Sequence, residues 1–167
     1  RPGMPNRRID AHRKARFLRN EEMDRSVALL LLAARGFEAT ARAGLPEGLT
    51  LTHRLMLLLL KSGTAATAGD LQTLLGLPKQ TVSRHVHQLL GGGYVARRSA
   101  DDDRRRKLLV MTEAGNELCD RLDRSQRRRL GSVFRTHGPE IVASFETVLL
   151  DLVEPRARRF FDEEALS

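Results

Sequence analysis

The chain has no tryptophan, one tyrosine and one cysteine, and aromatic residues make up only 4% of its 167 positions. A single cysteine excludes an intrachain disulfide framework. So few aromatics leave Leu, Val and Ala to build the core, which favours helices over a β-barrel or sandwich. Long apolar runs are also missing. The longest, Leu55 to Leu60, and the cluster Val27 to Ala34 between Arg25 and Arg35 both fall short of the ~20 residues that a membrane span needs. No charged segment leads into an apolar one, so no secretory signal is visible, and we expect a cytoplasmic protein without a membrane partner.

What is present is a core-forming apolar fraction of 41% and a charged fraction of 30%, the balance of a folded domain rather than of a disordered chain. Twenty-nine Lys and Arg against twenty-one Asp and Glu leave a net charge of +8. That excess points to a polyanion, nucleic acid before an anionic membrane surface. Arginine dominates the basic residues, and its planar fork suits phosphate and guanine edges.

Residues 1–19 are basic and lack apolar periodicity; we expect Arg1-Pro2-Gly3, ahead of Met4, to be an expression remnant. From about Asn20, Val27, Leu30, Leu31, Ala34, Phe37 and Ala41 recur at helical spacing, and Gly44 and Pro46 end that helix. A very apolar helix is expected from about Thr52 to Lys61. Thr67 with Asp70 reads as a capping box opening a helix that Gly76 closes. Pro78 suits the first turn of the next helix, which runs to about Leu90. Two helices about a tight turn form a helix-turn-helix candidate. Gly91-Gly92-Gly93 stops the second helix, and strands at Tyr94–Arg98 and Lys107–Met111 flank the polar turn Asp101–Arg104. Thr112 caps a long charged helix to about Arg135. Beyond Gly138-Pro139, Ile141, Val142, Phe145, Val148, Leu149 and Leu152 mark a last amphipathic helix.

On the helix from about 78 to 90, Val82, Val86, Leu89 and Leu90 gather on one side at about 100° per residue. Opposite them lie Gln80, Arg84, His87 and Gln88, with Lys79, Thr81 and Ser83 at the margins. The ordinary account is a solvated helix face, but such faces mix Glu with Lys, and this one has no acid. Arg, Gln, Ser and Thr are the side chains that read major-groove base edges. The hairpin is a second basic patch, with Arg97, Arg98, Arg104, Arg105, Arg106 and Lys107, and an arginine at its tip suits a narrow minor groove. Asp103, in the triple acid Asp101–Asp103, reads as a partner that orients a neighbouring arginine.

These residues resemble the MarR family of bacterial winged-helix regulators over about 65 residues, from Leu51-Thr52 to Gly115. The resemblance lies in the Leu-Thr opening, Asp70-Leu71, Gly76-Leu77, Thr81-Val82-Ser83-Arg84, Leu89-Leu90 before Gly93-Tyr94-Val95, the wing signature Asp103-x-Arg105, Thr112 and Gly115. Pro78-Lys79-Gln80, Gly91-Gly92 and the basic amino-terminal extension depart from the family pattern. The resemblance implies a mainly α fold with a small β-hairpin wing. A winged helix-turn-helix head at 51–111 would carry a recognition helix at about 78–90 and a wing at about 94–111. A helix and linker at 20–50 and helices at 112–167 would form the dimerisation region. It also implies a homodimer on a pseudo-palindromic DNA site, with recognition helices ~34–36 Å apart. Lys79, Gln80, Thr81, Ser83, Arg84 and His87 would then face the major groove, and Arg97, Arg98, Asp103, Arg104, Arg105 and Arg106 would form the wing, Arg105 at its tip. Repression relieved by a small phenolic or aromatic-acid effector is the family's common mode; others respond to oxidants or metals. A non-specific or architectural nucleic-acid binder stays open beside it, as does a protein-interaction module.

For the effector, Arg25, His53, Arg54 and Met56 are candidates by region. Cys119 reads as a buried structural thiol rather than a redox switch. His85 and His87 lack the i, i+4 spacing of a helical metal pair, so no metal site is assigned. No phosphate loop, nucleophile elbow or clustered catalytic set is present, and neither catalysis nor a cofactor is expected.

Overall fold

A computed structural model describes residues 19–99 and 107–161. The chain divides after Ala39 into two units. The first contains most of helix α1, Asn20–Gly44. Its side chains Met23, Val27, Leu29, Leu30, Leu31 and Leu32 are all at least 45% exposed.

The second unit, from Thr40 onward, holds α2 (Leu51–Lys61), α3 (Ala68–Leu75), α4 (Lys79–Gly91), β1 (Val95–Ser99), β2 (Lys107–Met111), α5 (Glu113–His137), α6 (Pro139–Leu152) and the short α7 (Pro155–Arg158). It is a winged helix-turn-helix. The core takes Met56, Leu57, Leu59 and Leu60 from α2, Leu71 from α3, and Val82, Val86 and Leu89 from α4. Val95 and Leu109 come from the hairpin, and Leu118, Cys119 and Leu122 from α5. α2 thus contributes four buried apolar residues in five positions, while its Leu55 and Leu58 face outward, 44% and 37% exposed.

Local chemistry sets the turns. Thr67 Oγ1 accepts from the Asp70 N–H at 3.1 Å while Asp70 Oδ2 accepts from the Thr67 and Ala66 N–H groups, so the capping box at α3 is complete. Gly76 closes α3 at φ 62°, a left-handed position that a side chain would strain. Pro78 is the residue before α4 rather than within its first turn. The remaining element ends shift by one or two residues from the sequence expectation: α2 starts at Leu51, β1 at Val95, and α5 continues to His137.

β1 and β2 pair antiparallel, with Val95 opposite Met111 and Ser99 opposite Lys107. The far edge of β2 is anchored as well, since the Leu109 N–H donates to the Ala66 carbonyl at 2.8 Å. This bond ties the wing to the segment joining α2 and α3, a link no sequence pattern announced. At the other end, Thr112 caps α5 by accepting from the Gly115 N–H and donates its own hydroxyl to Gly93. α6 carries the expected stripe, yet none of its residues is buried; Ile141, Phe145, Val148 and Leu152 lie 43–64% exposed.

Candidate nucleic-acid interface

The helix-turn-helix presents α4 with its apolar side inward. Val82, His85, Val86 and Leu89 are buried, whereas Leu90, expected with them, is only half-buried. On the outer side Lys79, Gln80, Ser83, Arg84, His87 and Gln88 are exposed and together line one shallow depression. Thr81 sits half-buried at the edge, its carbonyl taken by His85 Nδ1 at 2.7 Å. The face carries two cations, two amides, a hydroxyl and an imidazole, and no carboxylate anywhere on the helix. Its amino-terminal end, where Val82 is the first residue whose N–H bonds back, to Pro78 at 3.1 Å, has a positive dipole that adds to the attraction for phosphate.

On the wing, Arg97 and Arg98 are exposed on β1 and pair in register with Leu109 and Leu108. Successive strand residues alternate faces, so the two guanidinium groups leave opposite sides of the hairpin. Lys107 starts β2 nearby, donating to Ser99 Oγ at 3.4 Å. Asp103, Arg104, Arg105 and Arg106 lie outside the described residues, as do residues 1–18.

Beneath α4 is a buried polar network that sequence reasoning missed. His53, 1% exposed, accepts the Thr50 N–H on Nδ1 at 2.9 Å, and the Thr50 hydroxyl lies at the same distance. Its Nε2 meets Gln88 Oε1 at 3.0 Å. The His53 and His85 rings stand 4.5 Å apart, tilted by 45°. His85 thus belongs to the core side of α4, whereas its neighbour His87 faces out. The visible signal was a histidine three residues after a threonine, in the position where a capping box normally has Glu or Gln.

Burial, and secondarily His85, holds the His53 pKa below the ordinary imidazole value. The unfolded chain therefore binds more protons than the native one as the pH drops below about 6.5, and stability falls on acidification. His53→Gln keeps an acceptor for the Thr50 N–H without a titrating ring. In denaturant melts between about pH 7.5 and 5, wild type should lose stability that the variant retains. Parallel pH profiles would refute this role for His53.

The four residues assigned by region to an effector pocket have separate settings. Met56 is wholly enclosed in the core. Arg54, 6% exposed, donates from Nη2 to Asp123 Oδ1 and to Gln126 Oε1, while its Nε and Nη1 find no partner among the described residues. His53 is engaged as above, and Arg25 is exposed on α1. Cys119 is fully buried, and burial raises its thiol pKa, the reverse of a reactive thiolate. Among the described residues no group of three or more His, Cys, Asp or Glu is placed to hold a metal. None of their helices is long and apolar enough to cross a membrane.

Comparison with known proteins agrees with this geometry. A sequence model of the MarR family matches residues 47–106. The HTH-type transcriptional regulator PetP of Rhodobacter capsulatus is 30% identical over 146 residues, covering 87% of this chain and 88% of its own. Among solved structures, a MarR family regulator from Neisseria meningitidis superposes with a TM-score of 0.60 at 25% identity, over 78% of this chain and 90% of that one. A mutant MarR of E. coli complexed with operator DNA gives a TM-score of 0.56 at 18% identity, over 80% and 96%.

Proposed function

The chain belongs to the MarR family of transcriptional regulators, and from that premise we propose that it is a homodimeric, sequence-specific repressor. It binds a pseudo-palindromic operator in cytoplasmic double-stranded DNA and is released by a small-molecule effector, a phenol or aromatic acid first. The observation that carries this reading is the outer face of α4: six exposed donors, acceptors and cations in one depression, with no acid on the helix. Arg84, in the middle of that face, takes the guanine-reading role, and Lys79, Gln80, Thr81, Ser83 and His87 surround it. Arg97 and Arg98 supply phosphate contacts from the wing. Arg105, with Asp103, Arg104 and Arg106 beside it, takes the minor-groove role implied by the family signature.

The uncovered apolar side chains of α1 and of α6 support the homodimer, because exposed apolar surface on this scale marks an interface. Within the proposed assembly a second copy covers both. Arg54, buried with the N–H groups of Nε and Nη1 unanswered, supports an anionic effector, since a buried donor left unpaired is costly.

Selection from a random double-stranded library at near-physiological salt tests the reading. An inverted repeat with half-sites about one turn apart is expected. Arg84→Ala should cost about 1–3 kcal/mol of binding and relax one position per half-site. Binding without enrichment, collapsing as salt rises, would instead make the protein a non-specific binder.

A further inference from the structure

The hydrogen-bond chain under α4 determines which way the Gln88 amide points. A backbone N–H can only donate, so His53 Nδ1, which meets the Thr50 N–H at 2.9 Å, must carry the lone pair. The neutral ring then has its proton on Nε2, which donates to Gln88 at 3.0 Å. The partner atom is therefore the amide oxygen. With Oε1 turned inward to the buried imidazole, the amide NH2 is left on the outer side, where Gln88 is exposed and shares the depression with Arg84 and His87. Arg84 and Gln88 are one turn apart, in the same row of the helix.

We propose that Gln88 is a specificity-determining contact that offers DNA only hydrogen-bond donors, and that His53 is the positioning residue that sets this polarity from the core. The assignment rests on the DNA-reading role proposed above. A free glutamine reads adenine with both amide ends. Here one end is taken, and the other suits any base edge with an acceptor: guanine O6 and N7, thymine O4 or adenine N7. Cytosine, whose own major-groove group is the N4 donor, is the base it rejects. Ordering the side chain beforehand also removes part of the rotamer cost of binding.

The same library selection, run on the full chain and two variants, tests this. Wild type should deplete cytosine about fivefold or more at one position of each half-site. Gln88→Glu keeps an oxygen for His53 and turns the second oxygen outward, so cytosine should become the favoured base at that same position. His53→Glu retains an acceptor for the Thr50 N–H but has no hydrogen to donate to residue 88, so the preference there should be lost. The position read by Arg84 should hold its preference in that variant, which shows that the head is still folded. The proposal is overturned if wild type accepts cytosine at every position of its repeat. It also fails if Gln88→Glu weakens all sequences equally, as a phosphate contact would, or if His53→Glu leaves the discrimination intact. Enrichment of no repeat by wild type would take down the regulator reading itself, and this assignment with it.

Discussion

Replacing Asp123 by alanine should lower the stability of the protein by about 3–5 kcal/mol, the cost of leaving a buried charge without its partner. Asp123 on α5 and Arg54 on α2 have side chains only 3% and 8% exposed and face each other in an ion pair. Asp123 Oδ2 also accepts from Arg127 at 2.9 Å, but Arg127 is 63% exposed, so that arm is screened and contributes little. Removing the carboxylate strands a guanidinium whose Nε and Nη1 are already unanswered. In a chain of this size the thermal midpoint should drop by roughly 6–20 °C. The double variant Arg54→Met, Asp123→Leu removes both charges while keeping comparable volume, and should melt near wild type. If Asp123→Ala melts within a degree or two of wild type, the pair is not buried in solution as it is here. If the double variant is as unstable as the single one, the site depends on its charges rather than on their balance.

Gly115→Ala should be nearly as damaging, at about 3 kcal/mol, the upper end of overpacking costs. Gly115 lies in the first turn of α5, where its N–H is held by Thr112 Oγ1 at 3.1 Å. A Cβ added there would penetrate the backbone carbonyl of Tyr94 and crowd Met111 Cε at 3.1 Å. Tyr94 precedes β1 and Met111 ends β2. A backbone carbonyl cannot rotate aside like a side chain, so the helix and the hairpin would have to part. The substitution should therefore reduce both the thermal midpoint and DNA affinity, because the wing no longer keeps its set against α5. A thermal melt and an operator titration read the two effects. Wild-type values in both would show that the contact is not a constraint.

Each of these effects depends on neighbours distant in sequence, and this marks the limit of the sequence reading. The order and type of the elements were legible because they follow from local rules. Thr67 with Asp70, Gly76, the three glycines after Leu90, Thr112 and Gly138-Pro139 set boundaries within a residue or two, and 3.6-residue periodicity separated the buried Val82, Val86 and Leu89 from the exposed Arg84 and His87. The family was legible too, since its motifs are short and ordered along the chain. The acid-free composition of α4 determined that whichever side faced outward would suit a polyanion.

Three things were decided only by tertiary structure. Arg54 and Asp123 are 69 positions apart, and nothing in either one's neighbourhood distinguishes a buried ion pair from two solvated charges; the packing of α2 on α5 makes the difference by excluding water. His53 and Gln88 are 35 positions apart, and only their meeting gives the amide a fixed direction, whereas sequence offered His53 as an effector candidate and Gln88 as one more polar residue. Gly115 was legible as a family position, but its reason is the carbonyl of Tyr94 lying against it. Sequence thus determined the elements, the charge and the chemistry available, because these depend on spacing along one chain. The polarity of the reading face and the cost of each buried charge depend on which groups are brought out of water together, and only the packed structure sets that.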